Sequence, residues 1–508
     1  MFNAMKDDLC YGINSNMKKP RDSRGNGDDA LSVIIVGASG DLARKKLLPA
    51  LFSLYSQGFM PDRFHVFGFA RSAMTHEEFR ARVAENLTCR YVPEHDCDRK
   101  MAEFLARCYY VQGQYDSPDS FMDLYQAMKP LELNGRAHRL YYLAIPPSIF
   151  VDVARAMGRA GLVTCTPGKT WSRAIIEKPF GSDRESSDRM ARELAQAFPE
   201  RDIYRIDHYL GKEIIQNLLV LRFANAIFEP LWNRRCIEQV QITWKEDIGI
   251  GSRAGYFDEY GIIRDVIQNH MMQILSLVAM DRPESLNAQA IRDAKLAVLK
   301  CMPPLQREDL VVGQYQRAGK NPAYTEEQGV PEDSITPSYA ATLLRINNER
   351  WQGVPFLIRA GKGLNAKCNE IHIRFRRPAG NLFEAVQSPL PPNQLVIRVQ
   401  PDETIALKVV NKVPGLTLAL DETELDLRYA TAFNTVIPEA YEGLILDAIR
   451  GEKSLFIRGD ELAAAWDIFT PVLHELEQRR IKPEPYDFGS EGPAAADEIA
   501  ARYGTEWL

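Results

Sequence analysis

The sequence predicts two structural classes in series: an α/β half built on a parallel sheet, then an α+β half with a large, mostly antiparallel sheet. Three observations carry this expectation. From Leu31 to about Arg205 the apolar runs are short and continuous, as in Val33-Ile34-Ile35-Val36, and helical stretches follow them. Strands covered on both faces read this way. After about Asp207 strict alternation takes over, with Val240, Ile242 and Trp244 set against Gln239, Gln241, Thr243 and Lys245. Alternation marks strands with one buried face. Finally, a glycine turn, Gly37-Ala38-Ser39-Gly40, joins the first apolar run to a helical stretch, as in a βα unit of a parallel sheet.

Taken in order, residues 1–30 are polar and of mixed charge (Lys6, Asp7, Asp8, then Lys18, Lys19, Arg21, Asp22) and lack the apolar core of a signal peptide, so they are expected to be a disordered tail. Ser32–Val36 is the first strand and His65–Ala70 the second. Thr75 and Glu78 form a capping box before Phe79 and Val83, and Asp183 can cap the run through Met190 and Leu194. Beyond residue 206, Ile371, Ile373 and Phe375 alternate with His372, Arg374 and Arg376. Leu395, Ile397, Val399 and then Ile405, Leu407, Val409 repeat the pattern, so a sheet with helices on one side is expected. Arg317 to Pro337 reads as a long surface loop.

Composition sets the outer bounds. A chain of 508 residues suggests roughly two to four domains. A formal charge of −6 offers no global attraction to nucleic acid or an anionic membrane, so any phosphate must be held locally. No apolar run approaches the ~20 residues that span a bilayer. The eight cysteines are scattered, without a Cys-x-x-Cys pair or a His at metal-ligand spacing. They read as reduced thiols of a cytoplasmic protein, and no metal site is expected.

The loop Gly37-Ala38-Ser39-Gly40-Asp41-Leu42-Ala43 suits a pyrophosphate, because glycines admit close backbone approach and free N–H groups at a helix start face the anion. Its spacing is Gly-x-x-Gly-x-x-Ala, and an ordinary strand-turn-helix corner is the alternative. The second strand ends in Arg71-Ser72, where an NAD enzyme places an acidic residue for the ribose hydroxyls. A guanidinium there would pair with a 2′-phosphate and stack on adenine, which points to NADP; a plain surface arginine is the alternative.

Three further segments are dense in chemistry: Glu177-Lys178-Pro179-Phe180-Gly181, Arg205-Ile206-Asp207-His208-Tyr209-Leu210-Gly211-Lys212, and Arg264-Asp265-Val266-Ile267-Gln268-Asn269-His270. Together with the glycine loop and Gly361-Lys362-Gly363-Leu364-Asn365, they resemble the glucose-6-phosphate dehydrogenase family, in order from about residue 31 to 490. The resemblance implies a Rossmann-like NADP-binding domain over 31–206 and a substrate-binding and dimerisation domain over 207–508. It also implies oxidation of glucose 6-phosphate to the 1,5-lactone with hydride transfer to NADP+, the first step of the oxidative pentose phosphate pathway.

Oxidising a hemiacetal requires a base for the C1 hydroxyl proton, and histidine has a suitable pKa. By resemblance His270 is that base and Asp207 orients its imidazole. Asp265 is nearer in sequence, but five residues on an α-helix turn it ~140° away. Asp265 and Glu246 resemble the family's acceptors for sugar hydroxyls. A substrate phosphate needs cations and donors, which His208, Tyr209 and Lys212 supply. His208 and Lys212 share a face if their segment begins a helix. By resemblance Lys362 and Lys367 add charge; solvated lysines are the alternative. Lys178 resembles a residue reaching both cofactor and sugar, with a cis bond to Pro179. Tyr142 resembles one beside the nicotinamide or is a core tyrosine, and Gln400 is a substrate contact or a solvated strand end.

Some eukaryotic members hold a second, structural NADP. Arg359, Arg398, Lys408 and Asp426 match that site here, but Cys368, His372, Ala406 and Ala432 replace contacts, so its absence is expected. The family's antiparallel sheet implies a homodimer or a dimer of dimers. Two rival readings are a sugar oxidoreductase acting on an unphosphorylated sugar and a non-catalytic NADP-binding regulator. The phosphate-binding residues argue against the first, and His270 with Asp207 against the second.

Overall fold

The computed structural model describes residues 30–132, 137–163, 170–433 and 435–508. Of the expected disordered tail, 1–30, residues 1–29 lie outside the described residues, as do Cys10 and Cys165, and Ala30 is corrected: it is the buried first residue of the first strand. The first sheet contains β1 (Ala30–Val36), β2 (Phe64–Ala70), β3 (Cys108–Gln112), β4 (Ala137–Leu143), β5 (Ser172–Ile176) and β6 (Ile203–Ile206). Their order across the sheet is β6-β5-β4-β1-β2-β3, all parallel, and every residue of β1 is buried. The continuous apolar runs are therefore explained by helices on both faces. A seventh strand, Phe456–Ile457, pairs antiparallel with β6 and covers its open edge from beyond residue 206.

Local signals act as their chemistry requires. Thr75 Oγ1 accepts from the Glu78 amide at 3.2 Å while Glu78 accepts from the Thr75 amide at 2.8 Å, which starts the helix His76–Ala84 and buries Phe79 and Val83. Asp183 caps the helix Arg184–Leu194 through the Ser186 amide at 2.8 Å.

The second sheet contains β7 (Ile237–Lys245), β8 (Leu310–Gln316), β9 (Tyr339–Leu344), β10 (Phe356–Gly361), β11 (Cys368–Phe375), β12 (Gln394–Gln400), β13 (Thr404–Lys412) and β14 (Leu420–Arg428). With the short strand Glu484–Asp487 its order is β14-β13-β12-β11-β7-β10-β9-β8-Glu484–Asp487. Only β7 with β10, and β8 with Glu484–Asp487, pair parallel.

Two expectations are corrected here. The alternating polar positions of β7 do not face solvent: Gln239, Gln241, Thr243 and Lys245 are all buried. The end of the chain covers two of them, with Gln241 bonded to the Glu506 carbonyl and the Leu508 amide, and Lys245 paired with Glu491. Helices are also not confined to one side, because Ala495–Arg502 packs Ile499 and Ala500 onto Leu343 and Leu357 on the second face. The expected long loop, 317–337, holds only a bridged turn between Ala318 and Asn321 and a 3-10 turn at Tyr324–Glu326, and Tyr324 is buried.

The thiol expectation is corrected too. Cys89 and Cys97 are joined by a disulfide, with Cα atoms 5.8 Å apart. A bend before the helix Glu94–Leu105 brings them together, which an eight-residue spacing does not announce. Cys108, Cys236, Cys301 and Cys368 are free. Among the described residues no helix is long and apolar enough to cross a membrane.

Candidate active site

The carboxyl ends of the parallel strands supply one wall of a cavity of about 1110 Å³. Ala144 and Ile145 follow β4, Glu177 and Lys178 follow β5, and Asp207 and His208 follow β6. The opposite wall comes from the second sheet: Glu246 follows β7, Lys367 precedes β11 and Gln400 ends β12.

His270 enters from a helix whose geometry the apolar pattern does not reveal. Gly261, at φ 67°, breaks the preceding helix, and Ile263–Met271 then forms a π-helix. Hydrogen bonds from i to i+5 bring residues five apart onto nearly one side, so Asp265 and His270 are not separated as they would be on an α-helix. The angular ground for preferring Asp207 therefore fails, and contact decides instead. His270 Nδ1 lies 2.6 Å from Asp207 Oδ1, which also accepts the Tyr209 amide at 2.9 Å. Asp265 is engaged elsewhere: it accepts Lys178 Nζ at 2.9 Å and Tyr256 Oη at 3.3 Å.

The electrostatics follow from burial and neighbours. Burial pushes the Asp207 carboxyl up, but His270 and the Tyr209 amide outweigh it and hold the group at about 2. Burial holds His270 below its ordinary value against the pull of Asp207, so the ring is neutral and can take a proton at its other nitrogen. Burial, with the nearby positive groups, lowers His208 to about 3, so in the free protein it is a neutral donor rather than a cation. Burial likewise raises Asp265, yet Lys178 and Arg253 keep it ionised well below the usual carboxylate range.

The ring of His270 is held flat against Trp244, 5.4 Å away and tilted by 9°, and beside Tyr209 at 4.9 Å. Trp244 and Tyr441 are site residues that the sequence reading missed. Trp244 sits at an ordinary apolar position of an alternating strand, and Tyr441 comes from the helix Ala440–Arg450, remote from every motif.

The remaining sequence-derived candidates are distributed unevenly. Lys212 and Lys367 line the cavity, and Lys212 Nζ donates to Gln400 Oε1 at 3.3 Å. The segment from His208 to Gly211 is a succession of turns, with the helix starting only at Glu213, so turns rather than a helical face aim His208 and Lys212. Tyr209 turns its hydroxyl away to accept from Asn369 at 2.6 Å, and contributes its ring. Lys362 does not line the cavity: it is buried and ion-paired with Glu246, which it holds in place. Tyr142 is also interior, with its hydroxyl on Glu177 Oε1 at 2.5 Å. The Lys178–Pro179 bond is cis.

The glycine loop fits a dinucleotide. Gly37 has φ 94°, and a Cβ there would lie 2.2 Å from the Ala144 carbonyl oxygen, so only glycine allows this approach. Ala38 is buried, Ser39, Gly40 and Asp41 are exposed, Leu42 reaches the cavity, and Ala43 is buried in the helix that follows. Arg71 is exposed, its guanidinium 5.2 Å over the Tyr115 ring, and Ser72 Oγ meets Ser39 Oγ at 3.5 Å, joining the two loops.

At the second-nucleotide positions the matching side chains bond within the protein. Arg398 pairs with Glu370 at 2.5 Å, Arg359 lies over Trp507, Lys408 is 4.0 Å from Glu422, and Asp426 pairs with Arg428.

Comparison with known proteins gives a consistent outcome. Residues 34–217 match the family model "Glucose-6-phosphate dehydrogenase, NAD binding domain", and residues 219–508 match "Glucose-6-phosphate dehydrogenase, C-terminal domain". Chloroplastic glucose-6-phosphate 1-dehydrogenase 1 of Arabidopsis thaliana is 51% identical over 95% of this chain and 84% of its own length. The cytoplasmic glucose-6-phosphate 1-dehydrogenase 5 of the same plant is 47% identical, covering 94% and 92%. A solved glucose-6-phosphate dehydrogenase in complex with its substrate glucose-6-phosphate superposes with a TM-score of 0.88 at 42% identity, over 95% of this chain and 99% of that one. The chain belongs to the glucose-6-phosphate dehydrogenase family.

Proposed function

We propose that the protein oxidises D-glucose 6-phosphate at C1 to 6-phospho-D-glucono-1,5-lactone with NADP+, the first step of the oxidative pentose phosphate pathway. The observation that carries this reading is the buried Asp207–His270 pair at a cavity that also holds Lys212 and Lys367. The bound cofactor supplies a hydride acceptor. His270 Nε2 removes the C1 hydroxyl proton, while Asp207 holds the Nδ1 hydrogen and stabilises the imidazolium that results. Lys178, fixed by Asp265, and Glu246, fixed by Lys362, orient the sugar hydroxyls. Lys212, Lys367 and the neutral His208 take the phosphate, with Gln400 aligning Lys212 and the Tyr209 ring closing the base's side. The loop from Gly37 to Ala43 and Arg71 hold the nucleotide, and Tyr142 acts on the cofactor side through Glu177.

The division into a cofactor domain, 31–206, and a substrate domain, 207–508, belongs to the same proposal. A homodimer is supported by the exposed Leu425 and Leu427 on the edge strand β14. The absence of a second nucleotide is supported by the internal pairing of Arg398 and Arg359. A cytoplasmic location is supported by the four free thiols among the described residues, while the Cys89–Cys97 pair does not share in that support.

NADPH formation from glucose 6-phosphate, run beside free glucose and beside NAD+, tests the function. Turnover with the phosphorylated sugar and NADP+ is expected; equal turnover of free glucose would overturn the assignment.

A further inference from the structure

Asn269 sits between Asp265 and His270 in the π-helix Ile263–Met271 and is buried. Asparagine is a poor residue for a helix interior, because its side chain competes for backbone groups. Here it takes groups on both sides. Nδ2 donates to the Arg264 carbonyl at 3.0 Å and to the Asp265 carbonyl at 3.1 Å, and Oδ1 accepts the His270 amide at 2.6 Å. Arg264 and Asp265 stand five and four positions back, so theirs are the carbonyls that residue 269 meets in a π-helix and in an α-helix. The carboxamide therefore stands within the ladder and holds it open, as an inserted group does where a helix departs from α geometry.

The open ladder has two consequences at the cavity. Asp265 and His270, which an α-helix would set about 140° apart, lie on nearly one side. The Asp265 carbonyl also meets Lys178, whose Nζ donates to it at 2.5 Å and to Oδ1 of the same residue at 2.9 Å. His270 is pinned independently, by Asp207 at 2.6 Å. A return to α geometry would leave the base in place and swing Asp265, with Lys178, away from the sugar.

Resting on the sugar-oxidation reading above, we propose that Asn269 is a positioning residue for that reaction. Its carboxamide holds the π register that keeps Asp265 beside His270 and Lys178 on the Asp265 carbonyl. It touches neither sugar nor cofactor and acts through these three residues.

The test joins a crystal structure of Asn269→Leu, a good helix former without the carboxamide, to the kinetics of the same variant. Residues 263–271 are expected in α register, with Lys178 Nζ off the Asp265 carbonyl. Turnover of glucose 6-phosphate per NADP+-binding site, the sites being counted by calorimetry, is expected to fall by about 100-fold, the effect of a misplacement near 1 Å. KM is expected to change little, because Lys212 and Lys367 hold the phosphate from other elements. A residue serving stability alone would lower the melting temperature and the number of competent sites, and leave turnover per site unchanged. A variant that keeps the π register, or one that loses it and turns over per site as wild type does, would overturn the proposal. Should Asn269→Leu fail to fold, Asn269→Ala, which removes the carboxamide and adds no bulk, decides on the same two readouts. The register is read without turnover, so a wild type that does not oxidise glucose 6-phosphate would sink the functional reading and leave the register result standing apart from it.

Discussion

Asp207→Asn isolates the electrostatic part of the catalytic pair. Both hydrogen bonds to this side chain converge on Oδ1, from His270 Nδ1 at 2.6 Å and from the Tyr209 amide at 2.9 Å. An asparagine that places its carbonyl oxygen there keeps both. Its amide nitrogen then occupies the place of Oδ2, which is buried without a hydrogen-bond partner. The geometry survives and the charge does not. A unit charge about 4 Å from the imidazolium centre, at an effective dielectric near 20, is worth about 4 kcal/mol. Losing that when the ring becomes charged lowers kcat/KM by about 10³-fold. The unpaired amide costs about 1–3 kcal/mol of stability, so the melting temperature falls without loss of the fold. The pH profile adds a second readout. Asp207 raises the pKa of His270, so removing it moves the rising limb of kcat/KM to lower pH. Steady-state kinetics with glucose 6-phosphate across pH, beside circular dichroism, checks both. A folded variant within tenfold of wild type, with an unmoved limb, would refute the reasoning.

Three other outcomes are expected. Arg71→Ala reduces the preference for NADP+ over NAD+ by about 10- to 100-fold, the range of one charge-assisted contact to phosphate, and an unchanged ratio of kcat/KM values would remove Arg71 from the site. Lys212→Ala and Lys367→Ala each raise KM for glucose 6-phosphate by about tenfold or more while leaving the slow turnover of free glucose alone, whereas an equal loss on both sugars would assign these lysines to structure rather than to phosphate. His208 is held near 3 in the fold against an ordinary 6.5, so it stays neutral while the unfolded chain takes up a proton; its contribution to stability is complete above 6.5 and lost as pH falls toward 3. His208→Gln therefore flattens the decline of melting temperature over that window, and an identical decline in variant and wild type would contradict this.

Features whose cause is local were legible in the sequence. The continuous apolar run of β1, the Thr75–Glu78 capping box and the Asp183 cap each depend on residues within a few positions. Gly37 was legible as a turn residue, though its reason, the Ala144 carbonyl 2.2 Å from a would-be Cβ, is a tertiary contact. What stayed hidden has long-range causes. Part of the polar face of β7 is covered by the last residues of the chain, so alternation marked the strand correctly and its solvent exposure wrongly. The π-helix at Ile263–Met271 leaves no mark on an apolar pattern, because its side chains are buried almost all round. Lys362 shares a motif with the cavity residues, but its partner Glu246 lies on another strand end and takes its charge. Tyr441 and the Cys89–Cys97 pair carry no motif at all.

The central claim is that His270 removes the C1 hydroxyl proton as hydride leaves the same carbon. Its most direct test is NADPH formation from glucose 6-phosphate by wild type and by His270→Asn, each binding the sugar phosphate with comparable affinity. Loss of kcat by several orders of magnitude in the variant, with binding retained, is the predicted result. A variant that turns over as fast as wild type would contradict the account.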